Sequence, residues 1–386
     1  MGEMHEQITS GSLKLFLAGD VMTGRGVDQI LPHPSDPELY EPHTASALDY
    51  LRLAERRHGS ISRPVSFSYI WGDGLNELSH QNPDVRLVNL ETAITGSNTP
   101  VDKGINYRMS PENVDVLSVA RIQACVLANN HVLDWGEQGF IDTLDALLQM
   151  GIATVGAGRN HSEATAPIVI DAAGKGRVIV SAFGCPTSGI PSNWQATADR
   201  PGVNVLSEPL TRSVDQARIN IQAIKQPGDI VVASIHWGGN WGYDIPSRQH
   251  ELAHRLIDEA EVDVIFGHSS HHPKAIELYR DKLVLYGCGD LFNDYEGISG
   301  HEVYRGDLSL MYFPQVGAAN GELEALEMVP FRVRSMRLEH ASEADAIWLC
   351  DMLREQSSEF GTDIRLDPDG VARLQLPKSP HPAAHE

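Results

Sequence analysis

Five short apolar runs in this chain each stop at a residue able to hold a metal ion or move a proton, and that recurrence constrains the fold most. Leu13–Ala18 runs into Gly19-Asp20, Arg86–Asn89 into Leu90-Glu91, and Ala124–Leu127 into Asn129-Asn130-His131. Ile230–Ile235 ends in His236, and Val262–Phe266 ends in Gly267-His268. An apolar run without polar alternation reads as a strand buried on both faces, the pattern of a parallel sheet. Helical patterns lie between the runs: Pro111–Arg121 behind Ser110, Gly139–Met150 closed by Gly151, Pro209–Ile224 and Ser247–Ala260. Strands alternating with helices predict an α/β fold whose ligands gather beyond the carboxyl ends of the strands, and the residues named above occupy that edge.

Two stretches break the rhythm. Residues 31–74, with prolines, histidines and mixed charge, read as an insertion carrying one helix around Ala45–Arg57, a candidate lid. After Asp290 the pattern turns to antiparallel strands at Leu308–Phe313 and Leu323–Arg334, then a helix at Ala344–Glu355. We expect one catalytic domain over residues 13–375, a flexible N-terminus at 1–12 and a disordered tail at 376–386.

Charge excludes several partners. With 30 Lys+Arg against 52 Asp+Glu, the formal charge of −22 repels nucleic acid and anionic lipid at long range. A polyanionic polymer is an awkward partner for the same reason. No apolar run approaches the roughly 20 residues of a membrane span. Met1–Ser12 lacks a basic and apolar secretory pattern, so no membrane partner and a cytoplasmic location are expected. The four cysteines form no CxxC pair and read as reduced core thiols. Gly156-Ala157-Gly158 lacks the third glycine and acidic partner of a dinucleotide fingerprint, so no nicotinamide cofactor is implied.

Carboxylate, amide oxygen and neutral imidazole are the ligand types of divalent cations, and one carboxylate can bridge two ions about 3.5–4 Å apart. Asp20, Glu91, Asn130, His236, His268 and His271 supply that set. Alone, Asp20 could cap a helix, Glu91 could be a solvated loop carboxylate and His236 a satisfied interior imidazole; the ordered series makes the metal reading the stronger one. The expected cofactor is one or two divalent ions, with Mn, Zn, Fe, Ca and Mg undistinguished. Arg25 and Arg159, in glycine-containing loops, are candidate clamps for a substrate carboxylate or phosphate. Trp237, with Trp241, Tyr243 and Tyr295, is a candidate lining residue of a substrate pocket, core packing being the alternative.

These blocks resemble the bacterial capsule and poly-γ-glutamate biosynthesis (CapA-like) family, a branch of the calcineurin-like metallophosphatase superfamily. The most specific are Gly19-Asp20-Val21-Met22, Asn89-Leu90-Glu91-Thr92, Asn129-Asn130-His131 with Asp134 and Gly136, and Gly267-His268-Ser269-Ser270-His271, continued by Tyr286-Gly287-Cys288-Gly289-Asp290. The resemblance implies a metallophosphatase-like α/β sandwich with the metal site at the strand ends. Glu91 would bridge two ions, Asp20 and His271 holding one, and Asn130, His236 and His268 the other. His131 would be an acid/base or charge-stabilising residue, with Asp134 a candidate catalytic residue beside it and the second acid/base group left open. The chain departs from the superfamily where Met22 stands in place of the usual histidine, and where Glu91 stands in place of the usual aspartate.

Three activities are compatible with that site: phosphoester hydrolysis, amide chemistry on poly-γ-glutamate or peptides, and metal-assisted epimerisation at a peptide Cα. Soluble members of the branch include the epimerase of lasso-peptide biosynthesis, to which the chain is similar in size and in the Gly267–His272 block. The leading expectation is therefore a peptide epimerase acting on a small-molecule or peptide substrate. A phosphoesterase or a poly-γ-glutamate/amide-processing enzyme is the alternative.

Overall fold

A computed structural model describes residues 11–377; the expected flexible N-terminus and disordered tail fall largely outside the described residues. The chain builds two sheets packed face to face, with helices on both outer surfaces. In the larger, ten-stranded sheet, Ser12–Val21 pairs in parallel with Val85–Leu90, which pairs with Ala124–Val126, which pairs with Ala153–Val155. Its other half is antiparallel, Leu308–Gly317 lying against Ser12–Val21 and Leu323–Arg334 against Leu308–Gly317. The six-stranded sheet holds Arg177–Gly184, Ile230–His236, Val264–His268 and Lys282–Leu285 in parallel. Antiparallel edge strands Ile168–Asp171 and Ile276–Tyr279 flank it.

Side chains alternate between the faces of each strand, so a strand buried on both sides feeds two cores. Leu13, Leu15 and Leu17 meet Val180, Val232 and Phe266 of the other sheet in the inter-sheet core. Phe16 and Ala18 point the other way, toward Leu51, Phe140 and Leu144 of the flanking helices. Behind the smaller sheet, Val231, Ala233 and Ile235 pack on Val214, Leu252 and Leu256 of helices Leu210–Gln222 and Ser247–Ala260. The α/β fold expected from the apolar runs is thus formed, as the sandwich that the family resemblance implies, and its parallel strands are largely apolar on both faces for this reason.

The predicted helix over Pro111–Arg121 differs. It breaks into a 3-10 turn, Pro111–Asn113, and one helical turn, Asp115–Ser118. Ser110 does not cap it with its side chain. Its backbone N–H donates instead to Asp28 Oδ1, and Asn113 Nδ2 donates to the same oxygen. Tertiary bonds to one buried carboxylate override the local helical pattern. Residues 31–74 carry a hairpin, Glu38–Glu41 with Thr44–Ser46, and helix Ala47–His58. Among the described residues no helix is long and apolar enough to cross a membrane.

Candidate metal centre

Strand register brings the polar strand ends together. Asp20 lies beside Asn89 on one side and Asp290 on the other, while His236 lies opposite His268 in the second sheet. The close pairing of Asp20 with Asp290 requires glycine at position 19, where a Cβ would stand 1.9 Å from the Gly289 carbonyl oxygen. The Asp20 N–H donates to that same oxygen at 3.0 Å. Directly after His268, Ser269 takes φ +103°, an uncommon conformation for a residue with a side chain, and turns the chain toward His271.

Two groups of metal-capable side chains result. Asp20, His236 and His268 form one; Asp20, Glu91, His271 and Asp290 form the other. All of these side chains are buried. His236 Nδ1 lies 2.7 Å from His268 Nδ1, and both lie within 3.9 Å of Asp20 Oδ1. Asn130 Oδ1 faces His236 Nε2 at 3.0 Å, and Glu91 Oε1 is 3.8 Å from the same nitrogen. His271 Nδ1 is 3.0 Å from Asp290 Oδ1. Geometry therefore brings together all six sequence-derived candidates; Asp20 belongs to both groups, and Glu91 Oε1 also reaches His236 of the first.

The donor set fits a divalent cation. Among the described residues Asp20 Oδ2 is buried without a hydrogen-bond partner, an arrangement that costs about 1–3 kcal/mol or more unless something fills it. Burial first, then the neighbouring Asp290, raises the Asp20 carboxyl to about 8. Burial, then Asp20, raises Glu91 as well. Burial lowers His268 to about 3 and His236 well below the usual imidazole value, so both rings are neutral at pH 7 and carry free lone pairs. Crowded carboxylates with neutral imidazoles are the chemistry of a cation site.

His131 stands at the rim of this cluster. Its Nδ1 lies 2.6 Å from Asp134 Oδ2, which fixes the ring, and its Nε2 is turned toward Glu91 Oε1 at 3.9 Å. Asp134 is in turn held by Lys103 Nζ at 2.7 Å and by the Tyr107 N–H at 2.7 Å. The Tyr107 ring stacks on His131 with centroids 3.8 Å apart. Burial outweighs the Asp134 charge and lowers His131 to about 4.

Of the three substrate-contact candidates only Arg25 adjoins the centre, its guanidinium 4.7 Å from the Tyr107 ring that stacks on His131. The Arg25 guanidinium is buried and engaged, Nε and Nη2 donating to Asp294 and Nη1 donating to Glu41 at 3.0 Å. Arg159 is on the surface, paired with Asp145. Trp237 is a core residue, stacked on Tyr286 with its Nε1 donating to the Tyr286 carbonyl at 2.8 Å. Trp241 and Tyr295 do border the centre, each with its ring about 5 Å from His271. Together with Asn293, which donates to Asp290 Oδ2 at 3.0 Å, they form the inner wall of a cleft of about 230 Å³. Sequence reasoning missed two members. Asp290 ends a polar turn before Leu291-Phe292 much as other strand-edge carboxylates border apolar runs; Lys103 had no spacing to mark it.

The profile described as "Bacterial capsule synthesis protein PGA_cap" matches residues 14–295. A probable polyglutamine synthesis accessory protein of Mycobacterium tuberculosis is 46% identical over 93% of this chain and 95% of its own length. The PGA biosynthesis protein CapA of Bacillus subtilis is 30% identical, over 73% of this chain and 63% of its own. Among solved structures, a novel phosphatase from Mycoplasma pneumoniae aligns over 83% of this chain and 94% of that one, at 11% identity and a TM-score of 0.47. The strand-end residues that build the centre thus sit on a chain that belongs to the bacterial capsule synthesis PGA_cap family of CapA-like proteins.

Proposed function

We propose that this chain is a metal-dependent enzyme that acts on amide linkages of glutamate-containing chains. The observation that carries the metal dependence is the pair of ligand groups joined through Asp20, beside a histidine oriented by a carboxylate. A divalent ion held by Asp20, Glu91, His236, His268, His271 and Asp290 would supply polarisation of the substrate carbonyl. His131 is neutral at working pH, and Asp134 fixes which ring nitrogen faces the substrate. Its Nε2 takes a proton from the attacking water and returns it to the departing amine nitrogen as the C–N bond breaks. Asp134 holds that ring in place and offsets the positive charge it gains during the transfer, and Lys103 holds Asp134.

The amide substrate is favoured by relatives described as acting in polyglutamine and PGA synthesis, which stand against the expectation that an acidic chain avoids such polymers. Those relatives lend no support to the peptide-epimerase expectation. The test is to incubate the metal-loaded protein with γ- and α-linked glutamate polymers in D2O, and separately with simple phosphoesters. New amine ends that disappear with a chelator support the proposal. Phosphate release with intact polymer would make the chain a phosphoesterase; deuterium at an inverted Cα with intact amides would make it an epimerase.

A further inference from the structure

We propose that His250, His254 and Glu277 form a second metal site, separate from the strand-end centre, that takes a zinc-class divalent ion. His250 and His254 are four apart on helix Ser247–Ala260 and so share a face. Their ring centroids are 3.9 Å apart. Glu277 comes from the edge strand Ile276–Tyr279, and its Oε1 lies 2.9 Å from His254 Nε2 and 3.8 Å from His250 Nε2. One ligand atom from each residue falls within 4.8 Å of the other two, the compactness a single ion needs.

The supports around these ligands are those of a built site. Tyr286, buried beneath it, donates its O–H to the other Glu277 oxygen at 2.7 Å and so fixes the carboxylate. His254 stacks on Tyr279 with centroids 3.5 Å apart, and His250 lies over Phe360 at 5.9 Å. Ligand carboxylates in metal sites are commonly oriented by such outer partners. An ordinary ion pair needs one imidazole; here two converge on one carboxylate oxygen, where two protonated rings would repel. Two nitrogens and one oxygen suit zinc and its borderline neighbours over calcium or magnesium, which favour oxygen. The His250 side chain is 42% exposed, which leaves a fourth position open to water.

No ligand is shared with the strand-end centre. Helix Ser247–Ala260 packs on the outer face of the smaller sheet, whereas the first centre lies at that sheet's carboxyl edge. An ion here ties the helix to the strand that follows the loop bearing His271 and His272.

The experiment uses the full chain stripped of metal, titrated with cobalt(II) and followed by the visible ligand-field bands of a four-coordinate ion, with zinc counted by elemental analysis after dialysis. We expect the His250→Ala/His254→Ala variant to bind one equivalent fewer than wild type. Asp20→Asn/His268→Ala should keep the equivalent and bands of the peripheral site. Glu277→Gln, which preserves shape and the Tyr286 bond, should weaken that equivalent roughly tenfold or more. Should the double histidine variant misfold by circular dichroism, His250→Ala alone carries the test, its side chain being partly exposed. Equal stoichiometry and unchanged bands in the folded histidine variants would overturn the proposal, as would complete loss of cobalt binding in Asp20→Asn/His268→Ala.

Discussion

Replacing Arg25 by methionine separates a structural clamp from a substrate clamp. The Arg25 side chain is 2% exposed and Asp294 0% exposed, and Glu41 takes the remaining contact at 4%. Its guanidinium also lies 3.8 Å from the Tyr50 ring, against which methionine would keep apolar contact. After the substitution Asp294 retains the Gly26 N–H at 2.9 Å but loses both guanidinium bonds and the countercharge. Removing one partner of a buried pair costs about 3–5 kcal/mol, because the other charge stays buried and uncompensated. Against a total stability on the order of 5–15 kcal/mol, the variant should fold but unfold at clearly lower urea. The assay is urea unfolding by far-UV circular dichroism and tryptophan fluorescence. Arg25→Met/Asp294→Asn should recover part of the loss, since it removes one of the two stranded charges and leaves Glu41 as the other. A loss under about 1 kcal/mol, combined with a raised KM, would refute the clamp and return Arg25 to the substrate.

Three further outcomes are expected. Asp20→Asn should lower metal content in both groups, by more than the ~10–100-fold affinity loss of a supporting residue, while His33→Ala, exposed and paired with Glu112, leaves it unchanged; elemental analysis decides. His131→Ala should slow turnover by about 10²–10⁴-fold with metal retained, and an unchanged rate would remove His131 from the chemistry. Asp20 is raised to about 8, so the folded chain keeps a proton that the unfolded chain has released, and its stabilising contribution is lost as pH rises toward 8. Metal-free protein should therefore lose stability from pH 6.5 to 8 and regain it with a divalent ion; a flat urea midpoint over that interval would contradict the assignment.

Much of the centre was legible because buried parallel strands write a plain signal. Leu13–Ala18 and Ile230–Ile235 are apolar on both faces but for Lys14 and Ser234, so the metal-capable residue that stops each run must sit at the sheet edge. Which residues of different strands face one another depends on register, and that hid the pairing of Asp20 with Asp290, which places Asp20 in both groups. Trp237 could have been placed by alternation alone: one residue beyond His236, it points to the opposite face, into the helices. Arg25 could not, since Asp294 is 269 residues away in the chain. The helix at Pro111 failed for the same kind of reason, its donors being captured by the distant Asp28.

The pairing of the short strand Asp290–Phe292 with Ser12–Val21 has a consequence for how the chain acquires its centre. Asp20, Glu91 and Asn130 arise from the first sheet, His236, His268 and His271 from the second, and the return to the first sheet comes only at Asp290. Contacts spanning some 270 residues form late, because the loop they close is long. An ion bound there selects chains in which both sheets have already docked, and a chain stalled after either sheet alone offers it half a set of ligands. Added metal should then slow unfolding more than it speeds folding, acting as a latch fastened after assembly.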